Sequence, residues 1–250
     1  AAAAQDFFVL DNCCGRGSLS PAEQAGLLVK AGVQSVGLTQ PEHVGRMLAA
    51  LDPRGVRVRA LYTVVTLTND GFQLNPSLPD ALRLLKGRPV VVLLGINGRP
   101  PRAAEFAAGA IGKVTRLAGE SRLEVALYPH YGFYIARVDE ALEWAGKFGL
   151  GISFNLCHWL RETGGKEPVE NVVRRLRRIR AVTINGADYE GDWDRLIQTL
   201  DRGRFDVRRL LELLRERGFA GPFGLQCYNI PGDPAINLMR SMAAWRVISE

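Results

Sequence analysis

A short apolar run rich in β-formers, followed by a helical segment, recurs eight times along this chain of 250 residues. No other feature restricts the fold as strongly. The runs stand at Phe7–Leu10, Ser35–Leu38, Val56–Tyr62, Pro89–Leu94, Leu123–Leu127, Gly151–Phe154, Ala181–Ile184 and Phe223–Cys227. Most are continuous rather than alternating, the pattern of parallel strands buried on both faces. The helical segments are well punctuated. Ser20-Pro21-Ala22-Glu23 combines a capping box with Pro at the first helical position, and Gly32 marks the far end. Pro41 opens the second helix. Asp80–Lys86, Arg102–Leu117, Asp139–Phe148, Pro168–Arg178, Asp206–Arg217 and Ala235–Ile248 supply the rest. Eight βα units joined by short connections imply a closed, single-domain α/β structure, the (β/α)8 TIM barrel, for which this length is typical. An open dinucleotide-binding sheet would want GxGxxG after the first strand. Asn12-Cys13-Cys14-Gly15-Arg16-Gly17 stands there instead. The division expected is a tail over residues 1–6 and a barrel over 7–250.

Charge and cysteines exclude several classes of function. The net charge is +6, but the Arg and Lys residues are scattered. Their one dense cluster, Arg174, Arg175, Arg177, Arg178 and Arg180, reads as a solvated helix face, with a phosphate patch as the sharper alternative. Neither a docking motif nor interleaved aromatics accompany it, so no nucleic-acid partner is expected. No apolar run approaches the ~18 residues of a membrane span, and no membrane partner is expected either. The oligomeric state is open. Cys13, Cys14, Cys157 and Cys227 lie at strand ends without CxxC spacing; they read as buried thiols, with a disulfide between first and last strands as an alternative. The opening Ala1-Ala2-Ala3-Ala4-Gln5-Asp6 carries no Met. It fits the remainder of a cleaved signal peptide, in a periplasmic or secreted protein, or an arbitrary start of a cytoplasmic one.

In such barrels the site lies at the C-terminal ends of the strands. The residues expected there are Asp11 and Asn12, Tyr62 and Thr63, Asn97, Tyr128 and His130, Asn155 and His158, Asn185 and Asp188, and Gln226, Tyr228 and Asn229. This rim is rich in amides and aromatics and poor in carboxylates. Each amide both donates and accepts, which suits a hydroxyl-rich ligand; the plainer reading of any one Asn is that it ties down a loop. His130 and His158 follow adjacent strands, and an imidazole pKa near 6.5 suits acid–base work. They are the candidate catalytic pair, with Asp188 or Asp11 to orient one of them. Asn12, Tyr62, Tyr128, Asn155, Asn185, Gln226 and Tyr228 are the candidate substrate-binding residues. His43, at the start of the second helix, reads as a surface residue.

The second half resembles the xylose-isomerase-like sugar isomerases and epimerases. The resemblance rests on Leu200-Asp201-Arg202-Gly203-Arg204-Phe205-Asp206 leading into an amphipathic helix, and on Arg217-Gly218-Phe219-Ala220-Gly221-Pro222 leading into the last strand. Leu127-Tyr128-Pro129-His130 is similar to that family's Leu-Glu-Asn-His, and Phe154-Asn155-Leu156-Cys157-His158 to its Asp-x-x-His. The resemblance implies a divalent metal held by Glu, Asp, His and Glu from strands five to eight, the two Glu moving protons. By position those ligands fall on Tyr128, Asn155, Thr183 (with Asn185 as the alternative alignment) and Gln226. Hard cations want carboxylate oxygens, and each anion lost beside a divalent ion forfeits on the order of several kcal/mol. No cofactor is therefore expected, and the two-Glu proton transfer cannot run unchanged. A softer site from Cys157, His158 and Cys227 is the remaining way to hold an ion. The implied ligand is a small carbohydrate or sugar-derived molecule. The implied chemistry is isomerisation, epimerisation or elimination; the alternative is a barrel that binds a carbohydrate without turning it over. The DNA-cutting relatives of this barrel use a cluster of zinc ions that three histidines cannot supply.

Overall fold

The computed structural model describes residues 6–15 and 17–250. Residues 1–5 of the expected tail, and Arg16, lie outside the described residues. Nine strands form one sheet: β1 (Phe7–Leu10), β2 (Ser35–Leu38), β3 (Arg57–Thr68), β4 (Gly71–Gln73), β5 (Val91–Asn97), β6 (Glu124–Leu127), β7 (Gly151–Asn155), β8 (Ile179–Ile184) and β9 (Phe223–Leu225). All neighbours pair in parallel except β3 and β4. The pairing of β2 with β3 joins the two sides of the sheet and closes an eight-stranded barrel, from which β4 projects as a hairpin arm. The helices are α1 (Pro21–Lys30), α2 (Val44–Leu51), α3 (Leu78–Leu84), α4 (Ala103–Glu120), α5 (Val138–Phe148), α6 (Leu156–Thr163), α7 (Val169–Arg175), α8 (Trp193–Leu196), α9 (Val207–Glu216) and α10 (Pro234–Ile248). The architecture is the (β/α)8 barrel expected from the alternation.

Strand pleat divides the apolar residues into two cores. Phe8 and Leu10 of β1, Ala60 of β3, Leu93 of β5, Ala126 of β6 and Ala181 of β8 meet inside the barrel, with Tyr128 just beyond β6. Val9, Val36, Val58, Val92, Ile152 and Val182 point outward and pack under the helices. Burying each side chain of this size contributes about 1.5–3 kcal/mol. The inner layer fits because large and small residues alternate between neighbouring strands. A Cβ at Gly224 would lie 2.4 Å from the Phe8 ring, and one at Gly37 2.9 Å from it. Glycine on both flanking strands therefore makes the room that Phe8 fills.

Three differences from the sequence reading have local causes. The third strand runs past Tyr62 to Thr68, because Val65 and Leu67 keep alternating with more exposed neighbours; Asn69-Asp70 then turns it into β4. The second helix opens as a 3-10 turn, Pro41–His43, before α2. Helix α6 begins immediately after β7, where no helix was expected. The Asn155 side chain accepts from the His158 N–H and starts it. No described helix is long and apolar enough to cross a membrane.

Candidate functional site

A cavity of about 720 Å³ opens at the C-terminal ends of the strands. Seven of the ten residues proposed from sequence line it: Asn12, Tyr62, Tyr128, His130, His158, Gln226 and Tyr228. Three do not, and each is held by its own bonds. Asn155 sends Oδ1 to the His158 N–H at 3.1 Å and to the Cys157 thiol. Its Nδ2 donates to Thr183 Oγ1 at 2.5 Å and to Tyr128 Oη. Both ends of the amide are thus spent on capping α6 and bridging β6 to β8. Asn185 donates Nδ2 to the Gly186 and Leu196 carbonyls and ties the loop after β8. Asp188 does not orient a histidine. Its carboxylate accepts from the Arg204 N–H and pairs with Arg195 at 2.6 Å and Arg204 at 3.5 Å. Burial acts to raise its pKa, but the Arg204 N–H and the two guanidinium charges hold it below the ordinary carboxylate range. For Asn155, Asn185 and Asp188 the loop-tying role is the one the structure displays.

The two histidine rings lie against each other at a tilt, centroids 3.7 Å apart and planes at 39°. Phe133 stacks on the far side of His130 at 3.9 Å, and Trp193 of α8 meets His158 edge-on at 5.6 Å. Burial lowers both imidazole pKa values; the neighbouring His130 lowers that of His158 further, while the Tyr131 carbonyl partly offsets the fall for His130. Two rings this close, both drawn out of water, are neutral at pH 7. The tautomer of His130 follows from its partner. Nδ1 lies 2.9 Å from the Tyr131 carbonyl oxygen, which can only accept, so Nδ1 carries the proton and Nε2 the lone pair. His158 Nδ1 is buried without a partner, an arrangement that costs about 1–3 kcal/mol unless a ligand or water satisfies it.

The residues at the positions of the family's metal ligands do come together, but not as a cation site. Tyr128, Asn155 and Thr183 bond one another through the Asn155 amide, and Gln226 Nε2 donates to Cys157 Sγ at 3.0 Å. Thr183 belongs to this cluster, whereas Asn185 bonds the Gly186 and Leu196 carbonyls. An amide N–H₂ occupies the centre, where a hard cation needs oxygen anions, so the donor set does not fit the ion. Among the described residues no three His, Cys, Asp or Glu side chains gather as a metal requires; Cys157, His158 and Cys227 do not form such a triad. All four cysteines are free and buried.

The structure adds residues that the rim list missed. His43 lines the cavity, as do Thr39 and Trp193. The legible signal for His43 was its place five residues beyond β2, on a rim position for which no candidate stood. Trp193 had only a weak signal: the connection 185–206 is longer than a barrel usually needs, and such loops tend to carry function. Trp193 and Tyr131, both more than a third exposed, flank Arg161, whose guanidinium carbon sits 5.5 Å from each ring. Asp11, expected on the rim as an orienting group, accepts from Thr39 N–H at 3.0 Å and Thr39 Oγ1–H at 2.6 Å and lines the cavity. The arginine cluster lies elsewhere. Arg175, Arg177 and Arg178 border a shallower depression of about 450 Å³ near the starts of β7 and β8, the opposite end of the barrel. Arg175 is neutralised there by Asp139 and Glu167.

Solved structures with the same architecture include the apo form of 3-keto-D-glucoside 4-epimerase from E. coli, with a TM-score of 0.73 and 14% identity, covering 98% of this chain and 100% of that one. An L-ribulose 3-epimerase aligns with a TM-score of 0.72 and 15% identity, over 98% and 94% of the two chains. An IolI protein with a bound zinc atom aligns with a TM-score of 0.71 and 11% identity, over 98% and 96%. At these identities the likeness is one of fold. No curated protein matches the chain by sequence. The family model for the xylose isomerase-like TIM barrel matches residues 78–246, about two thirds of the chain and all the strand ends from β5 to β9. The chain belongs to the xylose isomerase-like TIM barrel family.

Proposed function

We propose that this chain is an isomerase or epimerase of a keto-sugar or sugar-derived carbonyl compound, moving a proton through His130 and His158 without a divalent ion at the four substituted ligand positions. The observation that carries the reading is the state of His130. A carbonyl fixes its Nδ1–H, burial keeps the ring neutral, and the residue lines the cavity, so Nε2 is a general base at neutral pH. Isomerisation and epimerisation both begin by removing a proton beside a carbonyl, a step a neutral imidazole performs. His158 lies against His130 with ring centroids 3.7 Å apart and lines the same cavity. Tyr62, Gln226, Tyr228 and Asn12 surround the pair with hydroxyls and amides suited to sugar hydroxyls. The keto-glucoside and ribulose epimerases with this fold support a carbohydrate as the ligand class.

Proton NMR in ²H₂O tests the reading directly. Wild-type protein, freed of metal by chelator, is incubated with methyl 3-keto-D-glucoside or L-ribulose. Loss of the signal from the hydrogen beside the carbonyl, abolished in His130→Ala/His158→Ala, is the expected result. Exchange that stops with chelator and returns with Mn²⁺ refutes the metal-free mechanism. A sugar that raises the melting temperature with no exchange at all assigns the barrel to binding alone.

A further inference from the structure

The strand order sets the acid–base groups of this cavity against one another. Walking round the barrel from β1, four steps through β2, β3 and β5 reach β6, and four steps the other way through β9, β8 and β7 reach it too. β1 and β6 are therefore diametrically opposed, and by the same count so are β2 and β7. Asp11 follows β1 and His130 follows β6; His43 follows β2 and His158 follows β7. All four line the one cavity. A ring-sized ligand lying in it presents one face to Asp11 and His43 and the other to His130 and His158.

We propose that Asp11 is an acid–base group of this site on the wall opposite His130, so that the chain inverts the configuration of a carbon beside a carbonyl. The proposal rests on the reading above for the His130 wall and adds both the second station and the stereochemical outcome. His130 Nε2 takes the proton from one face of that carbon, breaking the C–H bond, and the electron pair passes into the neighbouring carbonyl to give an enediol. The Asp11 carboxyl then delivers its proton to the opposite face as the C=C bond returns to C=O. The carbon ends inverted, His130 protonated and Asp11 ionised, and proton exchange with water restores both. No oxidant or metal enters the balance. In the reverse direction the Asp11 carboxylate takes the proton and the His130 imidazolium delivers its own to the other face, leaving His130 neutral and Asp11 protonated.

The surroundings of Asp11 suit this role. Thr39 donates to both carboxyl oxygens and the Asn12 N–H also bonds the group, which fixes its plane and leaves part of its acceptor capacity for a ligand. Burial is the largest influence on its pKa and raises it, with the Thr39 bonds and the nearby His43 partly offsetting the rise. A carboxyl that holds its proton longer than usual is the form that can donate.

The test uses the exchange assay with each epimer of the two keto-sugars supplied separately in ²H₂O. Wild-type protein should exchange the hydrogen in both epimers and interconvert them. Asp11→Asn keeps the shape, with its oxygen able to accept from the Thr39 N–H and its amide nitrogen to donate to Thr39 Oγ1, but cannot cycle a proton. It should still exchange the hydrogen of the epimer whose C–H faces His130, while inversion falls at least a hundredfold and the other epimer stays inert. His130→Asn should show the mirror pattern, and it keeps the test open should Asp11→Asn fail to fold. Inversion by Asp11→Asn within threefold of wild type, or loss of exchange from both epimers in either well-folded variant, overturns the two-wall assignment while leaving wild-type exchange, and the reading above, in place. Absence of exchange in the wild type removes the His130 chemistry and this inference with it.

Discussion

Replacing Asn155 by Ala should destabilise this barrel by about 3 kcal/mol, and the structure accounts for each part. The first part is the helix cap. Asn155 Oδ1 accepts from the His158 N–H at 3.1 Å, and losing an Asn cap costs about 1 kcal/mol. The second is the amide bridge to Thr183 Oγ1 and Tyr128 Oη. A buried hydrogen bond contributes about 1 kcal/mol, so two such bonds bring the sum near 3 kcal/mol. In a domain of this size about 2–4 °C of melting temperature accompanies each kcal/mol, so the expected drop is roughly 6–12 °C. Asn155→Ser retains a cap oxygen and loses the bridge, and should recover about 1 kcal/mol of that loss. Circular dichroism melts, together with urea titrations whose slope stays unchanged, read both numbers. If Asn155→Ala melts within about 2 °C of wild type, or Asn155→Ser is no better than Ala, the amide does not hold β6, β7 and β8 together. The cavity would then be free to admit Asn155 as a ligand group after all.

Three further outcomes follow from the site and its loops. His130 and His158 have lowered pKa values, so below pH 6.5 the unfolded chain takes up protons that the folded chain refuses. Their environment costs nothing above that pH, and stability is lost progressively as pH falls through it; His158→Phe should flatten the melting-temperature profile between pH 7.5 and 5. Millimolar Mn²⁺ or Mg²⁺ should leave the melting temperature unchanged within about 1 °C, whereas an ion present at a hundred times its Kd would add about 2.7 kcal/mol. One equivalent of tightly bound metal in elemental analysis would contradict the electrostatic argument. Gly203 has φ +90°, and a Cβ there would fall 2.1 Å from the Ala187 carbonyl oxygen. Gly203→Ala must push apart the loop that carries Trp193, and soluble yield or melting temperature should fall sharply, by more than about 2 kcal/mol.

The amino-acid order alone was enough for the barrel. Continuous apolar runs and capped helices are local patterns, and eight of them in a row leave one closed architecture. The rim could be read the same way, because a residue just beyond a parallel strand lies at the functional end whatever its neighbours do. His130, Gln226 and Tyr62 were reached by that route. Asn155 could also have been read more closely: an Asn three residues before His158, ahead of the apolar Trp159-Leu160, is a helix-cap pattern.

Tertiary structure decided which rim residues turn inward. Asn12, Asn155 and Asn185 look alike in sequence and all three tie down backbone, Asn12 by accepting from the Cys227 N–H at 3.1 Å, yet of the three Asn12 alone also lines the cavity. A side chain at a strand end has several backbone donors and acceptors within reach, and only the packed arrangement of the following loop selects among them. Asp188 was drawn away by two arginines, Arg195 and Arg204, whose approach depends on how the connection 185–206 folds back. The opposition of Asp11 to His130 is tertiary in the strictest sense. Those residues are far apart in the chain, and only closure of the sheet by the β2–β3 pair sets them on facing walls.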